Sequence, residues 1–394
     1  MRTATFCCAA VTAVITLACA IPAQAQLVTT PSESNTSVIC VEAESGMILY
    51  ERNADIKRPP ASMLKLMMLL LVSEGVDAGH WSLDQSIPVS AHAAATWGTR
   101  VALREGETWP LGRLMDACAV ASANDAATAV AEGLWGSEEN YLRAMNVRAR
   151  ELGMDNTIFR SVHGLPPSDG VSFDQTTARD MMKLALECLK SERIRHWVNM
   201  RQIQFRPTDP VRNSTNLLLR RMPECDGLKT GFIRAAGFCI AATAERNGLR
   251  LVTIVMGSPD KYGRFNLAQQ TLERGFDSVQ RVQVVRGGVS SIDPIPVVNC
   301  EIAETGLVAT NDIWVTVRTE DKPKLEYTAV FPEPLEPPLN AATVVGEVRV
   351  RLNGDVLGAS PLAVPVDLQP KGWRLRLSNG VARWEHLDIN PQAF

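Results

Sequence analysis

Ser62 and Lys65 stand three residues apart at the head of an apolar run, Leu66-Met67-Met68-Leu69-Leu70-Leu71-Val72. Apolar residues on both sides predict a buried helix from about Ser62 to Ser73, and a buried ammonium is costly. A helix puts the two on one face, with Cβ atoms about 5–6 Å apart. Desolvation lowers a lysine pKa and makes the amine a usable base. A serine hydroxyl is a weak nucleophile and needs such a partner to take its proton. The pair has the makings of a nucleophile and its activator. Taken alone, it also reads as a helix cap, with Ser62 starting the helix and Lys65 snorkelling to water.

Two further segments change the balance. Ala121-Ser122-Ala123-Asn124-Asp125 precedes an alanine-rich run. Ser122 offers a second hydroxyl that can pass a proton, and Asn124 an amide for a substrate carbonyl or for orienting a lysine. Both are equally good helix caps. Asp226-Gly227-Leu228-Lys229-Thr230-Gly231 is the second segment. Lys229 and Thr230 on a strand edge can dock a carboxylate, and Gly231 lets a substrate backbone approach closely. The plainer alternative is a solvent-facing strand ending in a glycine turn.

Together the three fit the Ser-x-x-Lys, Ser-x-Asn and Lys-Thr-Gly pattern of penicillin-recognising serine enzymes, in that order. The chain resembles the low-molecular-mass penicillin-binding proteins that are D-alanyl-D-alanine carboxypeptidases, serine peptidase family S11. Further matching stretches are Asn53-Ala54-Asp55, Met145-Asn146, Leu152-Gly153-Met154, His163-Gly164-Leu165 and Thr177-Ala178-Arg179-Asp180-Met181. The match spans roughly residues 35–276 and is looser over 277–370.

The resemblance implies an α/β (α+β) DD-peptidase/β-lactamase-like domain with a helical subdomain, followed by a small all-β domain. It implies that Ser62 is acylated, that Lys65 is the general base, and that Ser122 relays protons. Asn124, Lys229, Thr230 and Gly231 then bind substrate. The backbone N–H groups of Ser62 and Phe232 form the oxyanion hole. Thr230 helps hold the terminal carboxylate. Arg264 stands where the family often has an arginine serving the same end, though it also reads as a surface arginine at a helix start. The expected partners are peptidoglycan stem peptides ending in D-Ala-D-Ala and, as covalent inhibitors, β-lactams. No cofactor or metal is implied. Two departures stand out. Ile233 replaces the usual threonine, so a hydroxyl is lost at the lip of the site. The usual C-terminal amphipathic anchor is not evident, so membrane association is expected to be peripheral at most. A DD-endopeptidase, a serine β-lactamase and an idle wall-binding protein remain alternatives.

The elements that must position these residues are legible in outline. Val38 to Tyr50 predicts a hairpin turning at Ser45-Gly46. Residues 111–153 read as a helical, alanine-rich region, and Thr177 to Lys190 as another helix. Strands are expected from Gly227, at Phe238–Ala244 and at Leu249–Met256, the last two joined by a tight turn at Asn247-Gly248. Leu267–Arg274 reads as a closing helix. Strands at both ends with helices between predict a sheet assembled from distant segments. After about Phe276, the stretches Val279–Val285, Ile313–Val317, Val344–Leu352 and Trp373–Leu377 alternate like half-buried strands. Asn353-Gly354 and Asn379-Gly380 are hairpin signals. A proline cluster at Pro332, Pro334, Pro337 and Pro338 predicts a rigid loop. The domain boundaries read as 26–276, 277–370 and a tail at 371–394.

Met1-Arg2, the apolar or small run Ala9–Ala20 and the small-x-small site Ala23-Gln24-Ala25 read as a secretory signal peptide over 1–25. The run is short for a membrane span. Export to the periplasm or wall space follows. The formal net charge of −3 argues against a nucleic-acid role, although Arg212, Arg220 and Arg221 form a local basic strip. Cys40, Cys118, Cys188, Cys225, Cys239 and Cys300 follow the leader without metal-site spacing. Cys225 and Cys239 flank the expected hairpin, and export permits a disulfide between them. The five histidines include no His-Glu-x-x-His stretch, which leaves a metallopeptidase without support.

Overall fold

A computed structural model describes residues 30–290 and 292–372. The leader expected over 1–25, the strand expected at Trp373–Leu377, the Asn379-Gly380 turn and the tail beyond lie outside the described residues.

Strands β1 (Ser37–Glu42) and β2 (Ile48–Arg52) form the expected hairpin. They join β3 (Cys225–Ile233), β4 (Gly237–Arg246) and β5 (Leu249–Ser258) in an antiparallel sheet of order β2-β1-β5-β4-β3. The amino-terminal hairpin thus completes a sheet whose other strands lie some 200 residues later. Asn247 and Gly248 both take positive φ, 53° and 75°, as a two-residue hairpin turn matched to strand twist requires.

The central strands read as continuous apolar runs because both faces are covered. Ile39, Val41, Ala241, Val252 and Ile254 face the helical side. Val38, Ile240, Ala242, Leu251 and Val255 face α5 (Gly263–Ser278), against Phe265, Ala268 and Leu272. The period of two along each strand sorts the two sets. Helix α1 (Lys65–Asp77) is buried on every side from Lys65 to Leu70, and apolar there apart from Lys65, as an all-round apolar segment must be.

The serine lies just outside α1, in a 3-10 turn spanning Ala61–Leu64. The helical region expected over 111–153 is broken into pieces. A short helix (Leu111–Asp116) runs into a π turn (Ala117–Ala121), which stops at Ser122 in a left-handed conformation, φ 58°. Helix α2 (Asn124–Trp135) then starts afresh and ends on Gly136, φ 75°, a left-handed glycine end. Helix α3 (Glu138–Glu151) starts with Ser137 accepting from the Asn140 N–H, and α4 (Ala178–Leu189) with Thr177 accepting from the Asp180 N–H.

Beyond α5 the chain is β-structured. Strand β6 (Val279–Val285) pairs with β7 (Ile313–Arg318). Strands β8 (Glu326–Val330), β9 (Val344–Leu352) and β10 (Asp355–Ala363) form a sheet with the short strand Val308–Ala309. Their inward residues, including Val315, Val317, Val348, Val350 and Leu362, make a separate core. The prolines lie in the loop between β8 and β9.

All six described cysteines are buried free thiols. The disulfide weighed between Cys225 and Cys239 is absent for a reason of register. Cys225 faces Ala244 and Cys239 faces Gly231, so they sit far apart along the hairpin.

Candidate active site

Ser62, Lys65 and Asn124 converge. Lys65 Nζ donates to Ser62 Oγ at 3.1 Å, to Asn124 Oδ1 at 2.8 Å and to the His163 carbonyl at 2.8 Å. Its side chain is 0% exposed, so it does not snorkel. Burial pulls its pKa down to about 8, an effect partly opposed by Cys118, Asp174 and Asp125. The cap readings fail as well. Neither the Ser62 turn nor α1 has a side-chain cap, and α2 begins after Ala123 without one.

The turn carrying Ser62 is held under strain. Ala61, buried, takes φ 48°, which costs a non-glycine residue on the order of 1–3 kcal/mol. Packing from two sides compensates. A Cβ on Gly164 would lie 2.3 Å from the Ala61 carbonyl oxygen, and one on Gly231 would lie 2.8 Å from the Pro60 carbonyl oxygen. Gly231 therefore admits this chain's own serine turn, where a substrate backbone was expected to approach.

The acceptors around Lys65 are themselves fixed. Asn124 Nδ2 donates to the Trp97 carbonyl at 2.9 Å and its backbone N–H to Thr99 at 2.7 Å. The buried Asp125 carboxylate accepts from the Val101 and Leu103 N–H groups. This ties the 97–103 loop to α2 and leaves Trp97 59% exposed. On the other side, Asp174 accepts from the N–H groups of Arg160 and Ser161 and from Ser161 Oγ. Ser161 Oγ in turn accepts from the Gly164 N–H at 2.8 Å. That braces the His163 carbonyl. The His163 ring accepts from the Leu165 N–H, and burial, then Lys65, hold its pKa down at about 3. It is a neutral imidazole that makes no bond to Ser62. The one group His163 brings to the serine is its carbonyl, and a backbone carbonyl leaves no mark on a residue pattern.

Ser122 is buried at the end of the π turn, two residues before Asn124, and among the described residues its hydroxyl has no hydrogen-bond partner. Lys229 is 1% exposed and donates to the Thr230 carbonyl at 3.2 Å. Burial, then repulsion from Lys65, hold its pKa well below the ordinary lysine range. Thr230 Oγ1 donates to Thr215 Oγ1 at 2.7 Å. Arg212, three residues before Thr215, has a buried Nε without a partner among the described residues. Thr215 belongs to none of the three motifs and so left no mark in the sequence pattern.

Strand β3 is the open edge of its sheet. Phe232 is 51% exposed and stacks on Phe238, with ring centroids 4.2 Å apart and planes at 20°. Ile233, one residue further, is 8% exposed and packs into the main core. The threonine-to-isoleucine departure therefore falls on the core side of β3, not at the lip of the cleft. Arg264 is buried at 6% exposure, so it is not a surface arginine. Its Nη1 donates to the carbonyls of Gly231 at 3.0 Å and Cys239 at 3.2 Å. Its guanidinium lies over Phe238 and Phe265, 5.3 and 4.5 Å from the ring centroids.

Residues 24–260 match the D-alanyl-D-alanine carboxypeptidase family. The chain belongs to that family. Residues 289–369 match the C-terminal domain of penicillin-binding protein 5. The D-alanyl-D-alanine carboxypeptidase DacC of Escherichia coli is 30% identical over 357 residues, covering 88% of each chain. Penicillin-binding protein D2 of Listeria monocytogenes, solved in a cefotaxime-bound form, is 32% identical, with a TM-score of 0.56 over 62% of this chain and 97% of that one. The two-part fold is shared with a peptidoglycan synthesis regulatory factor, PBP3, of Streptococcus pneumoniae. That structure has a TM-score of 0.68 at 23% identity and covers 87% of this chain and all of the other. This chain is a penicillin-binding serine hydrolase of the cell wall, a DD-carboxypeptidase acting on D-Ala-D-Ala termini.

Proposed function

We propose that Ser62 is the residue acylated and that Lys65, in its neutral form, takes the serine proton. The observation that carries this reading is the 3.1 Å contact between Lys65 Nζ and Ser62 Oγ, made by an amine with no solvent exposure. Ser62 Oγ attacks the carbonyl between the last two D-alanines of a stem peptide. The oxyanion rests on the N–H groups of Ser62 and Phe232, donors placed where charge develops. Ser122 Oγ passes the proton to the leaving D-alanine amine. Water then cleaves the ester, and Lys65 again serves as base. Asn124 holds Lys65 and receives the substrate amide. Lys229 and Thr230, adjacent on β3, bind the substrate, with Thr230 at its terminal carboxylate. Gly231 serves the site by admitting the serine turn. Arg264, with its guanidinium turned to β4, is left out of the carboxylate site.

The leader over 1–25 supports export to the periplasm or wall space. Among the described residues no helix is long and apolar enough to cross a membrane, and the association we propose with the membrane is peripheral at most. Fractionation of cells expressing the full chain, with amino-terminal sequencing of the product, tests both points. A cytoplasmic product starting at Met1 refutes them.

The site assignment is tested by intact mass after incubation with benzylpenicillin, followed by peptide mapping. A single adduct on Ser62, absent from Ser62→Ala with an unchanged thermal melt, is expected. An adduct that survives Ser62→Ala removes the assignment, and rapid consumption of penicillin without an adduct points to β-lactamase turnover. Release of D-alanine from a pentapeptide, against cleavage of a crosslinked dimer, separates carboxypeptidase from endopeptidase action.

A further inference from the structure

Arg264 and the Phe232 N–H meet through one peptide group. The Gly231 carbonyl accepts from Arg264 Nη1 at 3.0 Å, and the same nitrogen donates to the carbonyl of Cys239, the residue facing Gly231 across the β3–β4 pair. The Gly231 carbonyl therefore points towards β4. A trans peptide is planar, so its N–H points opposite to its C=O. The N–H of that peptide belongs to Phe232, and it points out of the open edge of β3, the edge beside Ser62.

We infer that Arg264 is a positioning residue of the oxyanion hole, acting on the Phe232 N–H through the Gly231–Phe232 peptide. This rests on the reading that Phe232 N–H receives the oxyanion. A cationic donor makes a stronger hydrogen bond to a carbonyl than a neutral one does. Hydrogen bonds in series through one amide polarise one another. The guanidinium withdraws charge from the carbonyl oxygen, and the N–H becomes a better donor as the oxyanion forms. It also fixes the peptide plane. The arginine is held in place by Phe238 and Phe265, which flank its guanidinium. The exposed Phe232 ring stacks on the same Phe238. One buried cation thus sets both the direction of the N–H and the seat of the ring beside it.

Three readouts on the full exported protein and its Arg264→Gln and Arg264→Lys variants test this. The first is the acylation rate constant for benzylpenicillin, separated from the pre-acylation dissociation constant by stopped flow. The second is the infrared stretch of the ester carbonyl in the trapped acyl-enzyme. The third is the preference for a D-Ala-D-Ala peptide over its C-terminally amidated analogue. Removing an oxyanion donor outright costs about 10²–10³-fold, so weakening one is expected to slow acylation about 10–100-fold in Arg264→Gln. The dissociation constant should stay within about twofold and the ester stretch should move to higher wavenumber. Arg264→Lys should restore part of both. The carboxylate preference should be unchanged. The adduct forms only on folded molecules, so the stretch reports on native protein even if yield falls. An unshifted stretch or an unchanged acylation rate overturns the inference. So does a collapse of the carboxylate preference, which would return Arg264 to the substrate. If the wild type itself gives no Ser62 adduct, the oxyanion reading fails first, and this inference with it.

Discussion

The two parts of this chain treat buried polarity in opposite ways. Before Phe276 the interior holds Arg58, Lys65, Asp125, Asp174, Lys229 and Arg264, all nearly or wholly removed from water. After it, among the described residues, the buried polar side chains are Thr305 and Ser360. The β-structured part follows the ordinary rule of apolar-in, polar-out alternation. The first part breaks it around Ser62, and also at Glu42, Arg58 and Asp180, which tie down backbone elsewhere. Each buried ion around Ser62 costs free energy that a hydrophobic residue of like size would not. What they provide is chemistry: an amine poised to lose its proton, a carbonyl held at a fixed point, a peptide turned to face the cleft. If that is right, substitutions in the first part should change rate out of proportion to stability, and substitutions in the second should do the reverse.

Lys65→Met is the largest test after loss of the nucleophile itself. Loss of general-base catalysis should slow acylation about 10²–10⁴-fold. In the wild type, acylation should rise with pH through about 8, where Lys65 becomes neutral. The stability effect has its own pH signature. The folded-state pKa is depressed, so between about 8 and the ordinary lysine value of about 10.4 the unfolded chain binds a proton that the native chain does not. Wild-type stability must therefore rise across that window, while below it the full cost of the buried ammonium is present. The span is on the order of 3 kcal/mol. Lys65→Met lacks this term but leaves Asn124 Oδ1 without its donor and the His163 carbonyl with Ser62 Oγ alone. Its melting temperature relative to wild type should be highest near pH 7 and fall as pH approaches 10. Paired melts at the two pH values check this. A difference independent of pH would mean that the amine is not depressed.

Gly164→Ala should have a smaller but mixed effect. The added methyl meets the Ala61 backbone, which cannot swing aside, and φ 82° disfavours alanine independently. A loss of about 1–3 kcal/mol is expected. Because the same move displaces the His163 carbonyl from Lys65 and Ser62, acylation should fall about tenfold. Thermal melts and stopped-flow acylation read the two separately. A stability loss with full activity would detach the 160–165 loop from catalysis.

How much of this the sequence carried depends on whether a feature resides in a side chain or in a backbone contact. The sheet drawn from both ends of the chain, the Asn247-Gly248 turn and the strands at Val279 and Val344 were legible because period and turn chemistry are local. Ser62, Lys65 and Asn124 were legible because their types and spacing are unusual together. The left-handed turn that breaks the 111–153 region at Ser122 was not, since the residue there is not a glycine, although Ser122 and Asn124 are cap-type residues before a helix. The His163 carbonyl was invisible for the same reason that any residue can supply one. The neighbours of Gly231 and Arg264 within the chain, the serine turn and the β3–β4 carbonyls, were not legible, because a motif names residues without saying what they touch. Ile233 was placed at the lip because the family usually carries threonine there, and a comparison of residue types does not show how deeply the position is buried.

The smallest expected effect on activity comes from the second part. Leu362 is fully buried in the core of the β-structured region. Truncation to alanine removes its packing and leaves a cavity, which costs about 2–5 kcal/mol. The loss should fall on that core alone, seen as faster amide exchange along β9 and β10, with exchange in β1 and β5 unchanged. Acylation of Ser62 by penicillin should stay within about twofold of wild type, because no side chain of the site belongs to that core. A tenfold fall in acylation would show that the apolar region shapes the cleft after all. The contrast between a part built for chemistry and a part built for packing would then have to be drawn along a different line.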